Sequence, residues 1–379
     1  MTKRTWWFRS ITTVLILGLT ACSGGGGGGG GSGGGSLPTA TNPAITPPST
    51  QAVAITTAGG TTSAPNQSLA ANSYQASNEP LNNAAVGTAT AALPVGVQAA
   101  NSGTAAVPNT LAALVRRQAE KIKDHKPSVT GVLKAEPPRN CAVSGTDNSA
   151  FDDANNNFTE VFVNCNEFGE VIHGTLAATN VSVAEQLGSM AGTPYSISVQ
   201  ATFSIDLSIA TTQPASSVVT QGSFTFIVSF SGLMQAAPDG SVEPGDPSTI
   251  HIELNVPSLL SQTVNQSGTL TERLSSFDVI IDTSNTAGTT VTGGYTYAST
   301  AFGAGGRQVV VSIKSPIVTP TGASHPSSGT VEITSPPSPG KIVLTVLSST
   351  NVKVDVFANA ADAAPTDTIT LTWAQVDAL

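Results

Sequence analysis

The run "YSISVQATFSIDLSIA", residues 195–210, alternates without a fault. Tyr195, Ile197, Val199, Ala201, Phe203, Ile205, Leu207 and Ile209 point one way, and Ser196, Ser198, Gln200, Thr202, Ser204, Asp206 and Ser208 the other. Successive side chains of a strand project to opposite faces, so the run must be a strand with one buried and one wet face. No helix can segregate that pattern. A sheet solvated on one face is the antiparallel kind.

The same period recurs along the second half of the chain. "SFTFIVSFS", "TIHIELNV", "LSSFDVIIDT", "GGYTYAST", "RQVVVSIK", "GTVEIT", "KIVLTVL", "NVKVDVF" and "DTITLTW" all read as strands, separated by turn-rich pieces. Consecutive strands with short connections and no helices between them predict a mainly β fold, a large antiparallel meander that is curled or open-barrel-like. A β-sandwich or two smaller β domains are the alternatives, with "APDGSVEPGDPS" (236–248) as the break. The domain is expected over residues 127–379. Ahead of it, "PNTLAALVRRQAEKIKDHKP" sets Leu111, Leu114, Val115 and Ile122 on one helical face, and Pro127 ends the pattern. An amphipathic helix is therefore expected over 108–126, its basic residues forming a solvated face.

The opening "MTKRTWWFRSITTVLILGLTAC" places Lys3, Arg4 and Arg9 before a short apolar stretch. A bilayer-spanning helix needs about 20 apolar residues; a shorter run behind a cationic start is an export signal, here residues 1–21. Leu19-Thr20-Ala21-Cys22 resembles the lipobox of bacterial lipoproteins. That resemblance implies cleavage before Cys22, lipidation of its sulfur and acylation of the new amine. Ser23, where inner-membrane lipoproteins often carry Asp, implies the outer membrane, with the periplasmic or surface face left open. Residues 22–107, rich in Gly, Ser, Pro, Ala and Thr with few charges, read as lipid anchor followed by disordered tether. An outer-membrane barrel would suit the alternation, but Trp373 is the one Trp beyond the signal, too little for aromatic girdles.

Cys141 and Cys165 remain after Cys22. In an oxidising compartment such a pair forms a disulfide; zinc is disfavoured because there is no C-x-x-C pair and only four His. Asp147, Asp152, Asp153 and Asn155 to Asn157 form an oxygen-rich stretch that could attract calcium, but EF-hand spacing fails, and a polar hairpin tip explains it. His125, His173, His251 and His325 sit in no catalytic or metal motif, and His251 is expected on a wet face. Charged residues are 10% of the chain, which leaves little material for acid–base chemistry. No catalytic residue, metal or cofactor is assigned. A net charge of −9 excludes a nucleic-acid footprint.

The segments "FTEVFVNCNEFGEVIHGTL", "HPSSGTVEIT" and "KIVLTVLSSTNVKVDVFANAADAAPTDTITLTW" resemble a group of proteobacterial outer-membrane lipoproteins to which no activity is attached. The group often carries an Asp- and Gly-rich turn before its closing strand; here Asp355 to Asp367 contains no glycine. The expectation is an outer-membrane-anchored lipoprotein with a non-catalytic β-rich binding or interaction domain. Its partners would be the membrane, through Cys22, and an apolar ligand or an envelope protein. A structural or adhesive surface lipoprotein is the alternative, and a hydrolase the remote one.

Overall fold

The computed structural model describes residue 37 and, with short breaks, residues 39–71 and 134–377. Cys22 and the expected helix at 108–126 lie outside the described residues. The fold is mainly β, built on one antiparallel sheet. Its strands are β1 (Lys134–Ala135), β2 (Arg139–Asn140), β3 (Ser144–Asp152), β4 (Asn157–Glu167), β5 (Glu170–Gln186), β6 (Pro194–Thr212), β7 (Ala215–Ala236) and β8 (Val242–Asn265). They continue as β9 (Gly268–Asp282), β10 (Thr289–Ser299), β11 (Arg307–Thr319), β12 (Ser328–Thr334), β13 (Lys341–Val346), β14 (Asn351–Phe357) and β15 (Asp367–Thr372). From β3 onward each strand pairs with the next in sequence, and part of the sheet closes into a small barrel. Among the described residues two short α-helices accompany it, α1 over residues 64–71 and α2 (Trp373–Asp377).

The alternation dictates the layering. Ala201, Phe203, Ile205, Leu207 and Ile209 of β6 are buried, and they join one core with Phe224 of β7, Leu254 of β8, Phe277 of β9, Val311 of β11 and Val354 of β14. Leu69, Ala70 and Ala71 of α1 and Trp373 and Val376 of α2 belong to the same core. The period breaks at several bulges, and on β8 and β9 the two strands break together. Val256 and Leu259 on β8, and Leu274 and Phe277 on β9, are each three residues apart yet all buried. Both strands slip together, Val256 opposite Phe277 and Leu259 opposite Leu274, with Ser276 at φ 50° absorbing the irregularity. The expected break at 236–248 is instead a hairpin: Ala236 pairs with Val242, Met234 with Pro244, and the sheet runs on unbroken. A prediction made on turn-residue density is thus corrected, since Gly and Pro there shape a turn and an irregular strand end rather than a linker.

Over residues 39–71 the expected tether needs correction; residues 72–107 lie outside the described residues. Ala40, Ile45 and Ile55 are buried, as are Leu69 to Ala71, so residues 39–71 form part of the folded body. On the wet face, Thr175, Asp206, Gln221, Leu260, Arg273, Ala298 and Gln308 stand in register on consecutive strands from β5 to β11. The segment from Ala40 to Ala52 lies along this row. Thr175 Oγ1 donates to the Ala40 carbonyl at 3.1 Å, and Asn42 donates through its amide N–H to Asp206 Oδ2 and through Nδ2 to the Asp206 carbonyl at 3.0 Å. Gln221 accepts from the Ile45 N–H at 3.0 Å and donates to the Pro43 carbonyl at 3.2 Å. At the far end the Gln308 N–H donates to the Gln51 carbonyl at 2.8 Å and Arg307 donates to the Ala52 carbonyl at 2.7 Å. Six strand spacings amount to about 29 Å, and twelve residues can stretch to about 40 Å, so the strap must run nearly extended. Arg273 reaches over fully buried Ala298 to donate to Gln308 at 3.0 Å, beneath the strap's path. The chain then passes Ser335, whose Oγ accepts from the Val53 N–H at 2.6 Å, and Asp367, which accepts from the Gly60 N–H at 2.7 Å, before α1 enters the core.

Low complexity was the wrong guide here. Short side chains and Pro43, Pro47 and Pro48 keep the backbone extended and free of self-pairing. The distant polar row supplies the partners that its amides require.

Candidate functional site

The strands β5 to β8 are the longest of the sheet, and two of their turns meet at one end. Residues 187–193, "LGSMAGT", turn β5 into β6, with Gly192 at φ +84° supplying a conformation that L side chains resist. The neighbouring turn closes β7 onto β8, where the Ala237 N–H donates to the Ser241 carbonyl at 2.8 Å. The two are stitched together: the Gly192 N–H donates to the Met234 carbonyl at 2.7 Å, and the Met234 N–H to the Thr193 carbonyl at 2.8 Å. Beneath them Tyr195, Ile197 and Met234 form a second small core, separate from the main one, with Val199 packed against it. Tyr195 Oη donates to the Gly245 carbonyl at 2.8 Å and clamps the β8 side.

The paired turns form a finger whose end exposes apolar side chains beside the acids Glu185 and Glu243. Leu187 is 47% exposed, Met190 65%, Leu233 57% and Val242 37%. Isolated exposed hydrophobics are ordinary, but a cluster of them marks a surface that something else covers. Among the described residues, these are four of the seven large hydrophobics in that class. The alternation could not reveal them, because they sit on turns and a strand end, where the period-two rule has nothing to say.

The disulfide that the cysteine count predicts is formed: Cys141 and Cys165 join with Cα atoms 5.4 Å apart. Glu167 lies close to both sulfurs. Because the sulfurs are bonded to each other, neither is a thiolate able to take a metal. Arg139 bridges Asp147 at 3.1 Å and Glu167 at 2.7 Å. Burial opposes the Arg139 charge, yet Glu167, Asp147 and Glu160 outweigh it and raise its pKa. Asp147 is thus buried in β3 against an arginine. Residues 153–156 of that stretch lie outside the described residues.

The described histidines do not converge. His173 offers its backbone carbonyl to Asn42, His251 sits on the wet face 3.4 Å from Asp282, as expected, and His325 stacks on Trp373 with ring centroids 5.3 Å apart. Around the β14–β15 turn, Asp355 of β14 accepts from Thr368 at 2.8 Å and meets Lys353 at 2.7 Å, Asp362 in the turn accepts from the Asn359 N–H at 2.9 Å, and Asp367 at the start of β15 holds Gly60. Each of these carboxylates has a partner within the chain. The alternation also hides Glu272, a carboxylate on the inward face of β9. It is fully buried, accepts hydrogen bonds from Tyr297 Oη and Ser299 Oγ, and stands opposite buried Ser261. Its hydroxyl partners hold this carboxylate in place inside the sheet.

No family model matches the chain, and no curated protein or solved structure matches it. The resemblance to proteobacterial lipoproteins therefore rests on its own residues.

Proposed function

We propose that this chain is an outer-membrane-anchored lipoprotein, moored through Cys22, whose sheet domain is a non-catalytic interaction module. The observation that carries the interaction reading is the finger: a hydrogen-bonded pair of turns, backed by its own small core, presenting Leu187, Met190, Leu233 and Val242 to solvent. The mooring reading rests on Leu19-Thr20-Ala21-Cys22 behind a cationic, apolar start. A lipid-bearing residue is stable in a membrane because each buried methylene contributes about 0.8 kcal/mol and more than one chain is attached.

An interaction surface outside the sheet is favoured over an apolar ligand inside it. The inward aromatic and aliphatic side chains are buried against one another and against α1 and α2, Phe162, Phe224, Phe277 and Leu207 having 0 or 1% exposure. Cell fractionation of the wild type beside Cys22→Ser tests the mooring. The wild type should sediment with outer membranes and the variant should not. A variant that stays with the membrane would refute lipid mooring at that sulfur. The structural or adhesive reading makes a separate demand, that protease added to intact cells cuts the domain; survival until the outer membrane is breached rules it out.

A further inference from the structure

We propose that the Cys141–Cys165 corner is a redox-gated metal site. The disulfide closes it; when that bond is reduced, the two thiolates and the Glu167 carboxylate take up one zinc(II) ion. The site stands apart from the mooring, since Cys22 has no part in it.

The donors are already gathered. The two sulfurs and a Glu167 oxygen all lie within 4.8 Å of one another. Local structure brings them there. Cys165 and Glu167 are two residues apart on β4, so their side chains leave the same face of the strand. Cys141 is carried to them by its own N–H, which donates to the Gly145 carbonyl, and by the Val143 N–H, which donates to the Asn166 carbonyl, both at 3.1 Å. Arg139 is half exposed and Val143 mostly so, which leaves this corner close to solvent although Cys165 is fully buried.

The donor chemistry selects the ion. Thiolate sulfur is soft and suits zinc, whereas calcium and magnesium require oxygen. A tetrahedral zinc sets two sulfurs about 3.8 Å apart, and cysteines with Cα atoms 5.4 Å apart reach that by turning their side chains. Three anionic donors in a buried corner require positive charge. The ion adds its charge to that of Arg139, which lies 2.7 Å from Glu167. Three protein ligands leave the fourth position to water, the arrangement of an open site rather than a closed structural one.

The exchange balances. A dithiol reductant passes two electrons and two protons to the Cys141–Cys165 bond and becomes a disulfide itself; the two new thiols release their protons as the ion binds. In the opposite direction a disulfide oxidant takes two electrons from the bound thiolates and two protons from water. The S–S bond re-forms and the zinc leaves.

The chain beginning at residue 22 with Cys22→Ser keeps Cys141 and Cys165 as its remaining cysteines. It is reduced, freed of reductant and titrated without air, first with cobalt(II), whose thiolate charge-transfer and tetrahedral d–d bands report the ligands, then with zinc(II). One cobalt per reduced chain is expected, displaced by one zinc, and none in the oxidised chain. Glu167→Gln should weaken zinc binding about tenfold or more, since losing a ligand costs no less than losing an outer-shell partner. Zinc should also raise the urea midpoint of the reduced chain, because the ion binds the folded form. A reduced chain without a thiolate–cobalt band overturns the proposal. So does zinc affinity indifferent to Glu167→Gln, or zinc that lowers the urea midpoint, the mark of two thiols captured in an unfolded chain.

Discussion

Arg139 shows how one residue organises the corner where the sheet begins. Its guanidinium is half exposed while Asp147 and Glu167 beside it are nearly buried, so removing it takes a counter-charge away from both carboxylates. Arg139→Ala is expected to cost about 2 kcal/mol, less than the loss of a wholly buried pair because water screens the arginine; urea unfolding measures it. The folded-state pKa of Arg139 is raised, so its contribution is fully present below the unfolded-state value and fades only as pH rises through the folded one. That window lies far into alkali, and the Arg139→Ala penalty should be the same at pH 6 and pH 8. The neighbouring Cys141–Cys165 bridge spans a sequence separation of 24. On the chain-entropy model it is worth about 3.5 kcal/mol. The double Cys→Ala variant should show that loss in the same titration, and reduction of the wild type should reproduce it.

At the scale of elements the strap is the least expected feature and the easiest to loosen. Asp206 accepts from the Asn42 backbone and side chain and from Gln221 at 2.9 Å, so one carboxylate fastens both the strap and the strand residue next to it. Asp206→Ala should raise amide exchange at Asn42 and Ile45 roughly tenfold or more, from the loss of hydrogen bonds to a charged group, and leave β6 and β7 protected. Gly174 makes the same point from the backbone side: at φ +122° an added Cβ would run into the Asp206 carbonyl and crowd the Asn42 amide. Gly174→Ala should therefore detach the strap or shift β5, seen in the same exchange map. The strands were legible because alternation is a local signal, present in Tyr195 to Ile209 without any knowledge of partners. The strap was illegible because its order depends on Thr175, Asp206 and Gln221, each more than 130 residues away. The apolar tip was illegible for a related reason, since Leu187, Met190 and Leu233 look in sequence like any other aliphatic residues near a turn.

Across the whole molecule, consecutive pairing from β3 to β15 makes each strand depend on its neighbours in sequence, and the strap and α1 tie the two ends together. Among the described residues no helix is long and apolar enough to cross a membrane. Leu69, Ala70 and Ala71 sit in the common core; Leu69→Ala should cost about 2–4 kcal/mol, in the range for buried leucines, and lower the melting temperature of the entire sheet rather than of one end. The strap and the sheet then stand as one mechanical unit, and the mooring proposed at Cys22 lies 18 residues ahead of Ala40. Intact-mass measurement of the chain purified from outer membranes tests that arrangement most directly. The predicted mass is that of a chain beginning at Cys22 and carrying a diacylglyceryl thioether and an amide-linked acyl group. A mass showing an unmodified Cys22, or residues upstream of it still attached, contradicts the account.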